Sequence, residues 1–228
     1  MQNNKSYNLI IAVIGVLIIL AIGAYLYTRT NTAPAVIEGA SSTPITTNNN
    51  GVVTTGGSST VTDVTPQKLV APNYRTPLAF SASISSEVRA ALNKQFDATV
   101  AIIAKDSINF QAWNNLGIVR KMAGDYKGAE TAWKYVAALY PSSTIPFDNL
   151  GGLYLDFLKD YPKAEANFKV AIKNNAQDIN AYEQLFALYT TYGYKAGTSA
   201  AADLIAQGLK ANPDNQTLLQ YQSQLNSR

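Results

Sequence analysis

The residues best equipped for chemistry in this chain are its carboxylates. Among the 228 residues there is no histidine and no cysteine. That removes the commonest general base, the commonest metal ligand, and any thiolate or disulfide. Asp156 and Asp160 stand four apart, a spacing that would put both on one helix face as an acid and base or as ligands for a cation. Lys159 and Lys163 flank them, and such a pair more often marks a solvated face. Asp148 and Glu183 could oppose each other across a cleft in the manner of a glycosidase, yet nothing around either one marks it as buried. No Gly-rich phosphate loop, no Ser-x-x-Lys and no metal-spaced cluster accompanies them. The expectation is a non-enzyme with no cofactor and no metal. With 18 basic and 15 acidic residues and a net charge of +3, no basic stripe points to nucleic acid.

These carboxylates lie in a region of helical periodicity. The stretch Phe110 to Pro141, FQAWNNLGIVRKMAGDYKGAETAWKYVAALYP, holds two apolar-periodic runs around a Gly-Asp-Tyr turn, and a proline closes it. Small residues, Gly117 and Ala129, sit where two helices would touch. Trp113, Leu116 and Trp133 lie a turn or less away and can fill the space beside that contact. Trp113, Leu116, Gly117, Gly124, Asp125, Tyr126, Ala129 and Pro141 match in order and spacing the tetratricopeptide repeat, which this stretch resembles: a helix–turn–helix unit of about 34 residues.

A second unit runs from Thr144 to Asp178. Phe147, Leu150, Gly151 and Tyr154 fall on its first helix. Asp160, Tyr161, Ala164, Phe168 and Ala171 fall on its second once one inserted residue near Leu158 is allowed. Pro162 suits the first turn of that second helix, and Ala176 replaces the closing proline. The third unit, Ile179 to Asn215, matches at Tyr182, Leu185, Tyr189, Gly193, Ala201 and Pro213. Phe186 stands there in place of a small residue, and about three extra residues separate Gly193 from Ala201. A leading helix from Ser85 or Ser86, with Val88, Leu92, Phe96, Val100 and Ile103 as its apolar face, should cover one end. Gln216 to Leu225, burying Leu218, Leu219, Tyr221 and Leu225, should cap the other. The fold class expected for residues 84–228 is all-α, a tetratricopeptide-type α-solenoid of three helix–turn–helix repeats with leading and capping helices.

In the family that this region resembles, the first helix of each repeat lines a concave surface. The resemblance places Gln111, Asn114, Ile118 and Lys121 there, then Ile145, Asp148, Gly152 and Leu155, then Asn180, Glu183, Ala187 and Thr190. Such a groove holds an extended or helical peptide. Only Asn114 and Lys121 are of the type that grips a C-terminal carboxylate, and Asp148 and Glu183 would repel one. The expected partner is therefore another protein or peptide, through a neutral or mildly basic segment. The tyrosines of the repeats, Tyr126 to Tyr194, could form a carbohydrate platform but are expected to pack the core.

Ahead of the repeats, Tyr7 to Tyr27 form an apolar run, YNLIIAVIGVLIILAIGAYLY, long enough to cross a bilayer, with tyrosines at both interfaces. It is expected to stay as a single-pass anchor over residues 1–29, with the C-terminal domain outside the cytoplasm. The rival is a cleaved signal peptide and a secreted product. Residues 30–83 read as a Thr/Ser/Asn/Gly-rich tether, although LVAPNYRTPLAF near its end could dock on the first helices. The function implied is a membrane-anchored interaction scaffold. The alternatives are a self-assembling structural component of the cell envelope and, more weakly, a carbohydrate-binding or hydrolytic domain.

Overall fold

The structure is a computed structural model that describes residues 69–227. The apolar run Tyr7–Tyr27 and the tether through Pro66 lie outside the described residues. Among those described, every regular element is a helix: α1 Ser86–Lys105, α2 Phe110–Ala123, α3 Tyr126–Leu139, α4 Ile145–Gly152, which passes into a π-helical turn Leu153–Leu158, α5 Tyr161–Asn174, α6 Ile179–Thr190, α7 Ala200–Ala211 and α8 Gln216–Asn226. None of them is long and apolar enough to cross a membrane.

Local chemistry sets most boundaries. The Ser85 hydroxyl caps α1, Asn109 caps α2 by accepting from the Ala112 N–H at 2.8 Å, and Asp125 and Asp160 cap α3 and α5. Each such cap satisfies a donor that would otherwise be orphaned. α2 stops at Gly124, whose φ of +85° is open to glycine at little cost. Pro146 and Pro162 occupy the first turns of α4 and α5, where a missing N–H costs nothing.

The residue inserted near Leu158 is absorbed by the π-helical turn, which takes one extra residue without breaking the helix. Lys159 then ends it in the left-handed region at φ 54°, in place of a glycine. This geometry overturns the notion of Asp156 and Asp160 as one helix face. Asp156 lies in the π turn and accepts from the Tyr192 hydroxyl at 3.0 Å, whereas Asp160 caps the next helix and pairs with Lys163.

Each helix packs chiefly on its neighbours in the chain. The core divides into two apolar clusters that meet along α3. Ala132, Tyr135 and Val136 of α3 join the cluster of Leu78, Phe96, Ile103 and Trp113, and Ala129 and Trp133 join the one that runs on to Leu218. Two glycines let the helix pairs close. A Cβ on Gly117 would lie 2.3 Å from the Trp133 indole, and one on Gly151 would lie 2.5 Å from the Phe168 ring. In the third unit Phe186 replaces that glycine and stacks on Tyr221 at 4.1 Å between ring centroids.

Residues 69–83, whose docking the sequence left undecided, form a strap on the first helices. Leu78 is buried, Tyr74 meets Trp113 edge-on at 5.7 Å, and the Ser81 N–H donates to the Ala123 carbonyl at 2.8 Å. Buried Arg120 donates to the Thr76 carbonyl at 2.6 Å and pairs with Asp125. Two residues expected on buried faces are exposed instead. Val88 precedes the part of α1 that touches the rest of the fold, and Leu219 sits one position past the buried Leu218.

Candidate functional site

Residues of α2, α4 and α6 converge on one open cavity of about 290 Å³, lined by Lys121, Asp148, Asn149, Gly152, Leu153, Asp156, Phe157, Asn180 and Gln184. Four of these, Lys121, Asp148, Gly152 and Asn180, are groove positions named from sequence. The helices spacing them along the chain are set by Asn109, by Pro146 and by Asp178, which caps α6. Asn149, Leu153, Asp156, Phe157 and Gln184 were not anticipated. Asn149 and Gln184 sit one residue beyond a named groove position, and Asp156 and Phe157 lie in the π turn, whose extra residue per turn shifts them off the register of an α-helix.

Other named positions do different work. Asn114 is buried, its Oδ1 accepting from Asn149 Nδ2 at 2.8 Å and its carbonyl from the Trp133 indole N–H at 3.2 Å. It is a buried packing group and not a free amide. Leu155 belongs to the core, while Ile145 is exposed and Ile118 packs partly against the core. Gln111 bonds along its own helix to Asn115, and the Thr190 hydroxyl folds back to the Phe186 carbonyl. Ala187 is half-buried. Glu183 does not line the cavity and lies near Tyr221 instead.

Of the repeat-defining residues, Trp113, Leu116, Ala129, Trp133, Leu150, Tyr154, Ala164, Phe168, Tyr182, Leu185 and Tyr189 are buried. Tyr126, Phe147 and Ala201 pack on the core from partly buried positions, and Pro141 and Pro213 are exposed at turns.

The electrostatics of the cavity centre on Asp148. Burial, then the neighbouring Asp178 charge and the hydrogen bond between the two carboxyls, push its pKa up to about 8. At neutral pH Asp148 therefore keeps its proton. The carboxylate whose charge acts on Asp148 is Asp178, at the cap of α6, and not Glu183. On the opposite rim Lys121 holds its ammonium over the rings of Trp133 and Phe157, at 5.8 and 6.0 Å, a cation–π setting that keeps it away from the carboxyls.

A polar network recurs between units. The Tyr154 hydroxyl donates to Glu130 at 2.7 Å, and the Tyr189 hydroxyl donates to Glu165 at 2.6 Å. Lys134 pairs with Glu130, and Lys169 pairs with Glu165. All three members recur thirty-five positions on. At the second interface Lys195, held at φ 60°, also donates to both oxygens of Glu165 at 2.7 and 2.8 Å. The longer loop that carries Lys195 borders a second cavity of about 650 Å³ between α5 and α7.

What the first cavity can do is bind. It offers amides, the Asp148 carboxyl, one ring-stacked ammonium and an open floor at Gly152, where a Cβ would meet nothing within 4 Å. No protein-family model matches this chain, and no curated protein matches it.

Proposed function

We propose that residues 84–228 form a tetratricopeptide-type stack held at a membrane by the Tyr7–Tyr27 helix, and that the chain is an interaction scaffold. Its groove holds an extended segment of another protein. The observation that carries this reading is the convergence of Lys121, Asp148, Gly152 and Asn180, from three helices far apart in the chain, on one cavity. A surface of unrelated solvated residues has no reason to gather them. Amide side chains at Asn149, Asn180 and Gln184 suit the backbone of an extended peptide, which presents alternating donors and acceptors.

The test uses the open space at Gly152. A photo-crosslinking amino acid at Gln184 should join the chain to one other protein in intact membranes, and Gly152→Leu, which fills the groove floor, should abolish that adduct. Gly152→Ala should preserve it. Adducts that persist in Gly152→Leu would sink the groove reading.

One observation favours a second reading, self-assembly. The two terminal helices each keep a large apolar side chain in solvent, Ile102 on α1 and Leu219 on α8, at 48% and 37% exposure. Adducts consisting only of the chain with itself, lost on Ile102→Ser or Leu219→Ser, would support it.

A further inference from the structure

We propose that the groove wall at Gly152 and Phe157 is a slot for one large, uncharged apolar side chain of the bound segment. The inference deepens the groove reading above and rests on it. Phe157 lines the same cavity as Gly152. Of the chain's seven phenylalanines, all within the described residues, it is the only exposed one, at 43%. Apolar side chains scattered singly over an open surface are ordinary and need no partner. Phe157 stands in a concavity instead, and its ring is braced there by Tyr126 of the preceding unit, at 4.7 Å between centroids. The π turn sets its position. Gly152 precedes that turn and Phe157 lies five residues on, the span of one π hydrogen bond.

Gly152 completes the slot by what it lacks. A glycine inside a helix is less stable there than alanine. Gly117 and Gly151 are explained by the rings that need their room, whereas a Cβ on Gly152 would meet nothing within 4 Å. An exposed ring and a bare stretch of helix, neither used by a contact within the described residues, thus line one cavity of about 290 Å³. The charges beside them select what can enter. Lys121 holds its ammonium 6.0 Å from the Phe157 ring and repels a second cation, and Asp156 in the same lining repels an anion. Across the cavity, Asn180 and Gln184 lie one turn apart on α6, about 6 Å along its axis. Neither amide is hydrogen-bonded to another group among the described residues. Two residues of an extended chain span about 6.6 Å, so peptide groups two residues apart fall opposite these amides. Side chains alternate in direction along such a chain. One that points at the wall therefore has neighbours that point away, and the slot takes a single large group.

The full-length chain in detergent micelles is titrated by calorimetry near pH 7 with two octapeptide libraries built from Ala, Ser, Thr and Asn. One has phenylalanine fixed at the centre and the other has alanine. The phenylalanine library should bind about tenfold tighter. Phe157→Ala should remove that preference, and in the same micelles it also accounts for any partition of the peptides into detergent. Phe157→Leu, which keeps an apolar wall, should retain most of the preference. Gly152→Leu should abolish binding of both libraries. Equal binding of the two libraries, lost in Gly152→Leu, overturns the slot and leaves the groove standing. A preference that survives Phe157→Ala also overturns the slot. Binding of neither library overturns slot and groove together. A glycan array that the wild-type chain binds and Phe157→Ala does not, with neither library bound, overturns both in favour of a sugar platform.

Discussion

Asp148 and Glu165 are carboxylates whose surroundings move them in opposite directions, and the consequences for stability have opposite signs. Burial and Asp178 raise Asp148 to about 8. The folded state therefore keeps a proton that the unfolded chain, with an ordinary value near 3.9, gives up. Its favourable contribution is complete below about pH 4 and is lost as pH rises through about 8. For Glu165, burial alone would raise the pKa. The hydrogen bonds from Lys169, Lys195 and Tyr189 outweigh that and hold it at about 2. That contribution is present above about pH 4.3 and is lost as pH falls toward 2. Denaturant melts between pH 5 and 8.5 should show wild-type stability falling with pH, and Asp148→Asn should flatten the curve. At pH 8 the variant should be more stable by on the order of 1–3 kcal/mol, and equal stability there would refute the buried, protonated assignment. Glu165→Gln should lose about 1–3 kcal/mol near pH 6 and flatten the limb between pH 4 and 2.

At the scale of helices, packing is decided by where a glycine is needed and where it is not. Gly117 and Gly151 face indole and phenyl rings of fully buried side chains that have nowhere to retreat. Gly117→Ala and Gly151→Ala should each cost about 1–3 kcal/mol by overpacking. Gly152→Ala meets open space and should be neutral or gain about 0.5–1 kcal/mol from helix propensity. Matched thermal melts of the three variants check this, and a similar loss for Gly152→Ala would refute the close-approach argument. These helix contacts were legible in the sequence because Gly117–Trp133 and Gly151–Phe168 repeat a small-large pattern with helical spacing. The start of the first helix was legible from Ser85, whose hydroxyl acts within three residues, whereas the caps at Asn109, Asp125 and Asp160 were not read as such. The strap was not, since its anchors Tyr74, Leu78 and Ser81 have no period and reach residues far along the chain. The π turn appeared only as a one-residue misfit, with no sign of which residues it would aim into the groove. Asp178 escaped notice as the partner of Asp148 because a helix cap explains an aspartate fully without a second role.

Over the whole folded unit, the predominance of packing between chain neighbours has a thermodynamic consequence. Where contacts are nearest-neighbour, stability is close to a sum of local terms, and damage at one end should stay there. The C-terminal end is held by Leu218, fully buried, and by the Phe186–Tyr221 stack. A Cβ on Gly208 would come within 3.0 Å of Leu218 and 3.1 Å of Tyr182, so α6, α7 and α8 meet closely at that point. The N-terminal end is held by the strap through Leu78 and the Arg120–Thr76 bond. Arg120, Tyr154 and Tyr189 fall at corresponding positions of successive units, and each bonds back to what precedes it: the strap, then Glu130, then Glu165. The strap thus does for the first unit what the second helix of one unit does for the next. Ending the chain at Asn215 should lower hydrogen-exchange protection in α6 and α7 by about 2–4 kcal/mol and leave α1 to α3 nearly unchanged. Leu78→Ala should do the reverse, loosening α1 to α3 by a similar amount and sparing α6 to α8. The two apolar clusters meet along α2 and α3, so the Trp133 face of α3 should respond weakly to both changes. Equal loss of protection along all eight helices in either variant would mean a single cooperative core, and the repeat-by-repeat account of this fold would fail with it.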